Sequence, residues 1–556
     1  MRLNGLKLNL QKKMFLRIKH FKRDFNKWTL LIVAISLFLA IPIFSILISL
    51  FRGNGEMWEH ITSYFLFDYI KNSVILIFGT GLLTFTIGTS SAWIVSKYTF
   101  RSKKIIEWLL FMPLAIPSYI VAYSYVGLIG NGGTFIEVLR GFGLSINRIE
   151  MMNIYGLIWV LSFSLYPYVY AGTRTIFQSY PSQLKHTASL LGVSDKRYFF
   201  SVALPLALPG IIGGLFLVFM EVLNDYGAAK YYGVITFTTG IFRTWTALED
   251  LQSSIYLSAI LVVLVFILVL IVKWLRGRRS YNLKQTNTSQ KNDIKRTKLS
   301  GLKRILYLGI LLVPILFGFI FPLFQLVIWG IQTFDSMFSN DLMALGLESL
   351  IMSLSSALLI VFLACLLIYL SKWNYFKQFN IFSKIATLGY VIPGAIIGVG
   401  IIRTSKTLTD FFSFQFNLEI GHLIYNSILV LIYAYVFRFI AVAYNSIEGN
   451  TLKLGKNLSE SSYLLGYGKI KTFFKIDFPL LKNALLSSFI LVLIDVMKEL
   501  PLTLILKPYN LSTLAVRAYE YAEDERVAEA ALPALFLIFL IGTMITLFNY
   551  KLKENK

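Results

Sequence analysis

The sequence predicts an all-α membrane protein with about twelve transmembrane helices, arranged as two repeated six-helix halves. Composition, the lengths of the apolar runs and an internal repeat carry this expectation. The 556 residues are 56% hydrophobic and 15% aromatic but only 15% charged, and the mean hydropathy is +0.66. An ordinary globular domain is about 45–50% apolar with about 25% charged residues. So few polar groups cannot cover the surface of a soluble fold this long, whereas a bilayer allows apolar surface to face outward.

A hydrocarbon core about 30 Å thick is crossed by about 20 apolar residues in a helix. Runs of that length between polar breaks lie at 28–50, 73–95, 105–128, 152–174, 206–227 and 254–275. A second set lies at 305–330, 348–371, 381–403, 421–445, 480–504 and 531–550. The first run is too long for a secretory signal core and lacks a small-x-small cleavage site, so it reads as a retained anchor.

Orientation follows from lysine and arginine in the short loops. The tail holds Arg2, Lys7, Lys12, Lys13, Arg17, Lys19, Lys22, Arg23 and Lys27, against Arg52 and Lys71 in the first loop. The tail is therefore expected to be cytoplasmic, as are the loop with Lys97, Arg101, Lys103 and Lys104 and the linker from Arg276 to Lys303. An even number of crossings puts both termini inside. The expected organisation is a basic tail (1–27), a first half (28–275), a polar basic linker (276–303) and a second half (304–556). The linker stretch NLKQTNTSQKNDIKRTK has almost no large apolar group, as suits a solvated connector.

The net charge of +24 raises nucleic acid as a partner, but its densest runs abut apolar spans. That placement matches positive-inside topology and attraction to membrane lipid head groups, and nucleic-acid binding is not expected. Cys365 is the single cysteine, which rules out a disulfide framework and a cysteine metal site. His20, His60, His186 and His422 are scattered, and no HExxH spacing occurs, so a zinc enzyme is not expected.

Comparing the halves brings out the repeat. A shift of 274 places Leu190, Leu191, Gly192, Phe199, Phe200 and Pro205 on Leu464, Leu465, Gly466, Phe473, Phe474 and Pro479. The same shift carries Glu221 onto Asp495 and Asp225 onto Glu499. A shift of 276 carries Ile116 and Pro117 onto Ile392 and Pro393. Three separated segments agreeing in this way are poorly explained by coincidence.

The segments HTASLLGVSDKRYFFSVALP and ESSYLLGYGKIKTFFKIDFP fall between spans on the inner side. A short helix with small residues, a glycine that allows the turn and a proline that opens the next helix together make a rigid elbow. Here the chain resembles the permease subunits of bacterial ABC importers, whose cytoplasmic loop reads EAA, three residues, Gly, nine residues, Ile-x-Leu-Pro. Glu460, Ser462, Gly466 and Pro479 occupy that pattern in the second half, and Ala188, Gly192 and Pro205 in the first, where His186 replaces the usual glutamate. The resemblance implies type I ABC-importer architecture and ATPase coupling through both elbows. It also implies two copies of an ABC ATPase as partners, with ATP and Mg on those subunits. The chain is not expected to be an enzyme or to bind a cofactor: Gly455-Lys456 lacks the hydroxyl residue and the first glycine of a P-loop, positions held by Asn457 and Asn450.

Three longer stretches are similar to the fused ferric-iron permeases: PLAIPSYIVAYSY around Pro117, NDYGAAKYYGVITFTTGIFRTW from Asn224, and KELPLTLILKPYNLSTLAVRAYEYAEDERVAEAALPAL from Lys498. The resemblance implies Fe3+ as substrate, a periplasmic ferric-iron-binding protein as partner and the bacterial inner membrane as location. Thiamine and phosphonate permeases share the architecture, and an ion-gradient-driven secondary transporter is the rival from another class. Glu221 and Asp225, like Asp495 and Glu499, are four residues apart and are expected on one face of a span. Intramembrane charges usually face a partner or a water-filled cavity, so these four carboxylates, with Pro117, Tyr119 and Pro393, are candidates for the substrate path. Capping of helix ends, or pairing with Lys498 and Arg243, is the structural alternative. Pro113, Pro117 and Pro393 are expected to interrupt the hydrogen-bond ladder and free carbonyls; a metal-binding set is not assignable.

The topology makes Ser289 cytoplasmic and the loop at Gly132 and Gly133 external. In a Cys365→Ser background, an impermeant thiol reagent added outside is expected to label a cysteine at 132 and leave one at 289 unmodified; labelling at 289 would overturn the orientation.

Overall fold

The computed structural model describes residues 27–130, 132–143, 150–179, 187–277, 297–373, 380–418, 421–425, 427–454 and 457–554. The principal helices are α1 (Lys27–Ser49), α2 (Leu66–Lys97), α3 (Ser118–Ile129), α4 (Ile154–Ser179), α5 (Leu204–Asn224) and α6 (Leu251–Gly277). They continue as α7 (Gly301–Gln332), α8 (Asn340–Trp373), α9 (Gly394–Phe416), α10 (Ile428–Leu454), α11 (Phe478–Met497) and α12 (Ala531–Glu554).

Among the described residues each apolar run lies mainly on helix, but several are interrupted, among them at 116–117, 225–226, 392–393 and 498–500. Among the described residues, nine helices are long and apolar enough to span a membrane, or up to eleven if two sharply bent pairs each count as one span. The bent pairs are Lys103–Ala115 with Ser118–Gly141 and Ile381–Val391 with Gly394–Phe416. The last run lies on a shorter apolar stretch, Ala531–Leu547. Phe78, Leu82, Val263, Phe266 and Leu270 stand exposed along α2 and α6. Such side chains are stable there only against lipid or another protein.

The chain condenses into two compact units drawn along different lines from the sequence halves. One comprises Met1–Ser45, Ile351–Val391 and Gly400–Val496; the other Ile46–Leu350, Ile392–Val399 and Met497–Lys556. Within the first, the short turn Thr387–Val391 lies against α10, where a Cβ on Gly389 would stand 2.0 Å from the Phe437 carbonyl oxygen. Within the second, α2, α4 and α5 form a tightly packed trio. A two-residue parallel pairing of Tyr98–Thr99 with Thr297–Lys298 sets the end of the linker beside the basic loop after α2. Two segments assigned by charge to one side of the membrane are thus neighbours.

The trio is held by small residues, as is usual where lipid offers no hydrophobic drive between helices. A Cβ on Gly88 would lie 2.9 Å from the Tyr170 nitrogen, and one on Gly210 would lie 2.6 Å from the Gly172 carbonyl oxygen. One on Gly214 would stand 2.5 Å from Val169 Cα. Backbone cannot retreat as a side chain can, so Gly214→Val is expected to cost about 1–3 kcal/mol. Thermal unfolding in detergent should show a lowered midpoint for Gly214→Val and little change for Gly542→Ala, where a Cβ meets nothing within 4 Å.

Candidate functional site

Both bent spans break at the repeat-equivalent prolines. The limbs meet at 96° around Pro117 and at 113° around Pro393. Pro117 has an extended backbone (φ −55, ψ 145) and stands at the N-cap of α3. Its carbonyl accepts from the Ile120 and Val121 N–H groups at 3.0 and 3.1 Å, and the Pro393 carbonyl accepts from Ile396 and Ile397 at 3.1 and 3.3 Å. The Pro113 carbonyl accepts from Ile116 at 3.2 Å. A proline frees the carbonyl four residues before it, which for Pro117 is that of Pro113, and this carbonyl is taken by Ile116 N–H as the chain turns into the next helix.

The carboxylates also differ from expectation. Glu221 lies within α5, but α5 ends at Asn224 and Asp225 is its extended C-cap (φ −67, ψ 117), so the two do not share a helix face. Asp495 lies within α11, which ends at Met497, before Glu499. The chain turns at both places because the second carboxylate captures the helix that follows. Asp225 Oδ1 accepts from the Ala228 and Ala229 N–H groups at 2.9 and 3.2 Å, capping Gly227–Tyr231. Glu499 Oε1 accepts from Leu502 N–H at 3.2 Å, at the head of Pro501–Leu506. Ala228 and Leu502 are themselves related by the shift of 274. Capping is therefore what these two side chains do.

Asp225 also accepts a hydrogen bond from the Ser118 hydroxyl, on the first residue of α3. Its neighbour Asn224 accepts from Gly394 N–H, on the first residue of α9, at 2.7 Å. Tyr119 is buried and donates to the Ala515 carbonyl at 3.1 Å. Tyr226 stacks on Phe242, their ring centroids 3.8 Å apart. Close by in the same unit, a cavity of about 380 Å³ is lined by Lys230, Tyr231, Tyr519, Glu523 and Glu525. Sequence reasoning passed over Ser118, Asn224 and these cavity residues, although all lie in the three stretches that carry the ferric-permease resemblance. Among the described residues, no three His, Cys, Asp or Glu side chains are grouped so that they could hold a metal ion.

The elbows agree almost bond for bond. Gly192 has φ +72 and Gly466 φ +82, the left-handed conformation that closes a helix. Val193 N–H reaches the Ala188 carbonyl at 3.0 Å, and Tyr467 N–H reaches Ser462 at 3.1 Å. A π turn follows at Phe199–Ala203 and again at Phe473–Asp477, after which Pro205 and Pro479 fall in the first turns of α5 and α11. Each π turn packs its first phenylalanine on an aromatic ring near the end of a long helix: Phe199 on Trp93, centroids 4.9 Å apart, and Phe473 on Tyr369, 4.5 Å apart. The leucines before each glycine are strongly exposed, Leu190 at 88%, Leu191 at 76%, Leu464 at 90% and Leu465 at 77%.

Of the expected coupling residues, Glu460 is exposed and Ala188 partly so. Ser462 is turned inward, its hydroxyl 2.9 Å from that of Thr472. His186 lies outside the described residues. The second elbow carries a polar brace as well. Lys372 meets Asp477 at 3.1 Å and donates to the Ser459 hydroxyl at 2.9 Å, while that hydroxyl donates to Asp477 Oδ1 at 3.3 Å. The first elbow has Ala203 where the second has Asp477, and its ion pair instead joins Lys97 to Asp195 at 3.1 Å.

Residues 84–280, which contain the first broken span, the first elbow and the NDYG turn, match the family described as binding-protein-dependent transport system inner membrane component. The chain is 23% identical over 533 residues to the Fe(3+)-transport system permease protein FbpB 2 of Haemophilus influenzae, covering 94% of this chain and 97% of that protein. It is 22% identical to the ferric transport system permease protein FbpB of Actinobacillus pleuropneumoniae, over 95% of this chain and 78% of that protein. The molybdenum transport system permease protein ModB of H. influenzae is 29% identical over 217 residues, 36% of this chain and 88% of its own length.

Removing one partner of a largely buried ion pair strands the other, at a cost of up to about 3–5 kcal/mol when burial is complete. Lys372 retains 23% side-chain exposure, so Asp477→Ala should cost less, about 1–3 kcal/mol. Thermal unfolding in detergent should show the loss, and Lys372→Met combined with Asp477→Leu should recover part of it.

Proposed function

We propose that this permease is the membrane subunit of an ATP-driven importer for ferric iron, with twelve crossings in two six-helix halves and both termini cytoplasmic. In this reading a periplasmic binding protein delivers Fe3+ to the outer face of the bacterial inner membrane. Two copies of a separate ATPase dock on the elbows, and their closure rocks the helices between outward and inward access. ATP and Mg belong to those subunits, and the permease itself performs no chemistry.

The observation that carries the reading is the duplicated elbow. A glycine-closed helix end, an exposed leucine pair, a π turn and an N-terminal proline recur in the same order in both copies. Exposed leucines beside charged residues suit a protein groove better than water. A transporter driven by an ion gradient has no use for two such docking elements. Helix geometry at each elbow is continuous with a span through Pro205 and Pro479, so a push on the elbow reaches α5 and α11 directly.

Iron is supported by the relatives named for ferric transport, whose similarity runs through nearly the whole chain. A molybdenum relative matches over about a third of it, which makes an oxyanion the competing cargo. The cavity beside Tyr231 and Tyr519 bears two carboxylates and one lysine. Carboxylate and phenol oxygens suit a hard cation, and net negative lining disfavours anions. Glu221, Asp225, Asp495 and Glu499 remain candidates for lining the path, with Asp225 and Glu499 acting through the helices they cap.

Proteoliposomes containing the permease, its ATPase and the binding protein should take up labelled ferric iron only with ATP, and thiamine, phosphonate and molybdate should not compete. Gly466→Val, which forces a branched residue into the left-handed region at about 1–2 kcal/mol, should abolish uptake while the protein still assembles in the membrane. Gradient-driven uptake by the permease alone, or full transport by the variant, would refute the reading.

A further inference from the structure

The two broken spans are not pinned independently. Ser118 and Gly394 are repeat-equivalent first residues of α3 and α9. Both are held by one dipeptide at the end of α5: Ser118 through its hydroxyl on Asp225, and Gly394 through its backbone N–H on the Asn224 amide oxygen at 2.7 Å. The partners are far apart in sequence, by 107 and 170 residues. The backbone N–H at the head of a helix has no partner within that helix, and at membrane depth it has no water either. Asn224 supplies it from another span.

The packing at this turn is equally close. A Cβ on Gly227 would come within 2.8 Å of both Tyr119 Cβ, on α3, and Leu500 Cδ2, in the second copy. In the second copy Lys498 and Glu499 stand at the matching positions, and Glu499, like Asp225, accepts from the helix that follows it. The turn of the first copy holds both breaks.

We infer that Asn224 and Asp225 form a clasp that ties the two broken spans to α5, and that opening the path requires both bonds to be released together. They are positioning residues: they set where the second limbs of the broken spans begin, and a movement of α5 must move or release both. Because α5 begins at the first elbow through Pro205, the clasp is the point at which motion of that elbow is delivered to both breaks. The inference rests on the permease reading, but its test requires neither ATPase nor iron.

The test is thiol labelling of the full chain in membrane vesicles, in a Cys365→Ser background, with a small permeant maleimide. The reporters are single cysteines at Ala122 and Ala395, both fully buried, one beyond each break. Ser118→Ala and Asn224→Leu each delete one clasp bond. Each should raise the labelling rate at both reporters by about fivefold or more, the factor expected for one net hydrogen bond. Asn224→Asp, which keeps the accepting oxygen, should leave both rates near those of the parent. Unchanged rates in assembled Ser118→Ala protein would overturn the clasp. An increase confined to the break whose bond was deleted would also overturn it, because separate local caps would behave in that way. Failure of Ser118→Ala to assemble counts against it as well, since a clasp that opens during transport must survive the loss of one bond.

Discussion

Backbone hydrogen bonding in a medium without water is the constraint on which the rest of this structure depends. A helix crossing hydrocarbon satisfies its own N–H and C=O groups, but a helix that breaks there must find partners in the protein. The chain breaks two spans at Pro117 and Pro393, and each break opens a helix head. The turns after α5 and α11 open two more, at Gly227–Tyr231 and Pro501–Leu506, and polar side chains nearby serve these ends. Asp225 serves Ala228, Ala229 and Ser118, Asn224 serves Gly394, and Glu499 serves Leu502. Buried polar residues in such a chain are therefore first a consequence of its irregular backbone.

The same constraint explains why the elbows are so similar while their braces differ. Closing a helix with a left-handed glycine and reopening one with a proline is a backbone solution, and it recurs nearly bond for bond. How the elbow is fastened to its unit is a side-chain matter, free to diverge once the chain holds two copies. Near the second elbow a lysine, an aspartate and a serine form one largely buried network; the first relies on an ion pair to the exposed Asp195 and on the ring of Trp93. The asymmetry recurs at the breaks, where the first copy's turn grips both. Two halves of related sequence thus need not share the work equally.

What the sequence determined by itself is everything that depends on local pattern. Run length located the long apolar helices, lysine and arginine placement suggested sides, and Gly192, Gly466, Pro205 and Pro479 marked the elbows, because glycine admits a left-handed turn and proline fixes φ wherever they stand. The repeat was legible too, since equivalent residues recur at a constant shift. Tertiary structure alone decided which polar groups meet. Four-residue spacing suggested that Glu221 and Asp225 share a helix face, but the helix ends between them once Asp225 finds N–H groups ahead of it and a serine 107 residues away. Ser462 looked like a docking residue and is a buried brace. The bond from Gly394 to Asn224 leaves no mark on either local sequence, because a backbone N–H looks the same at every position until a neighbour 170 residues away faces it.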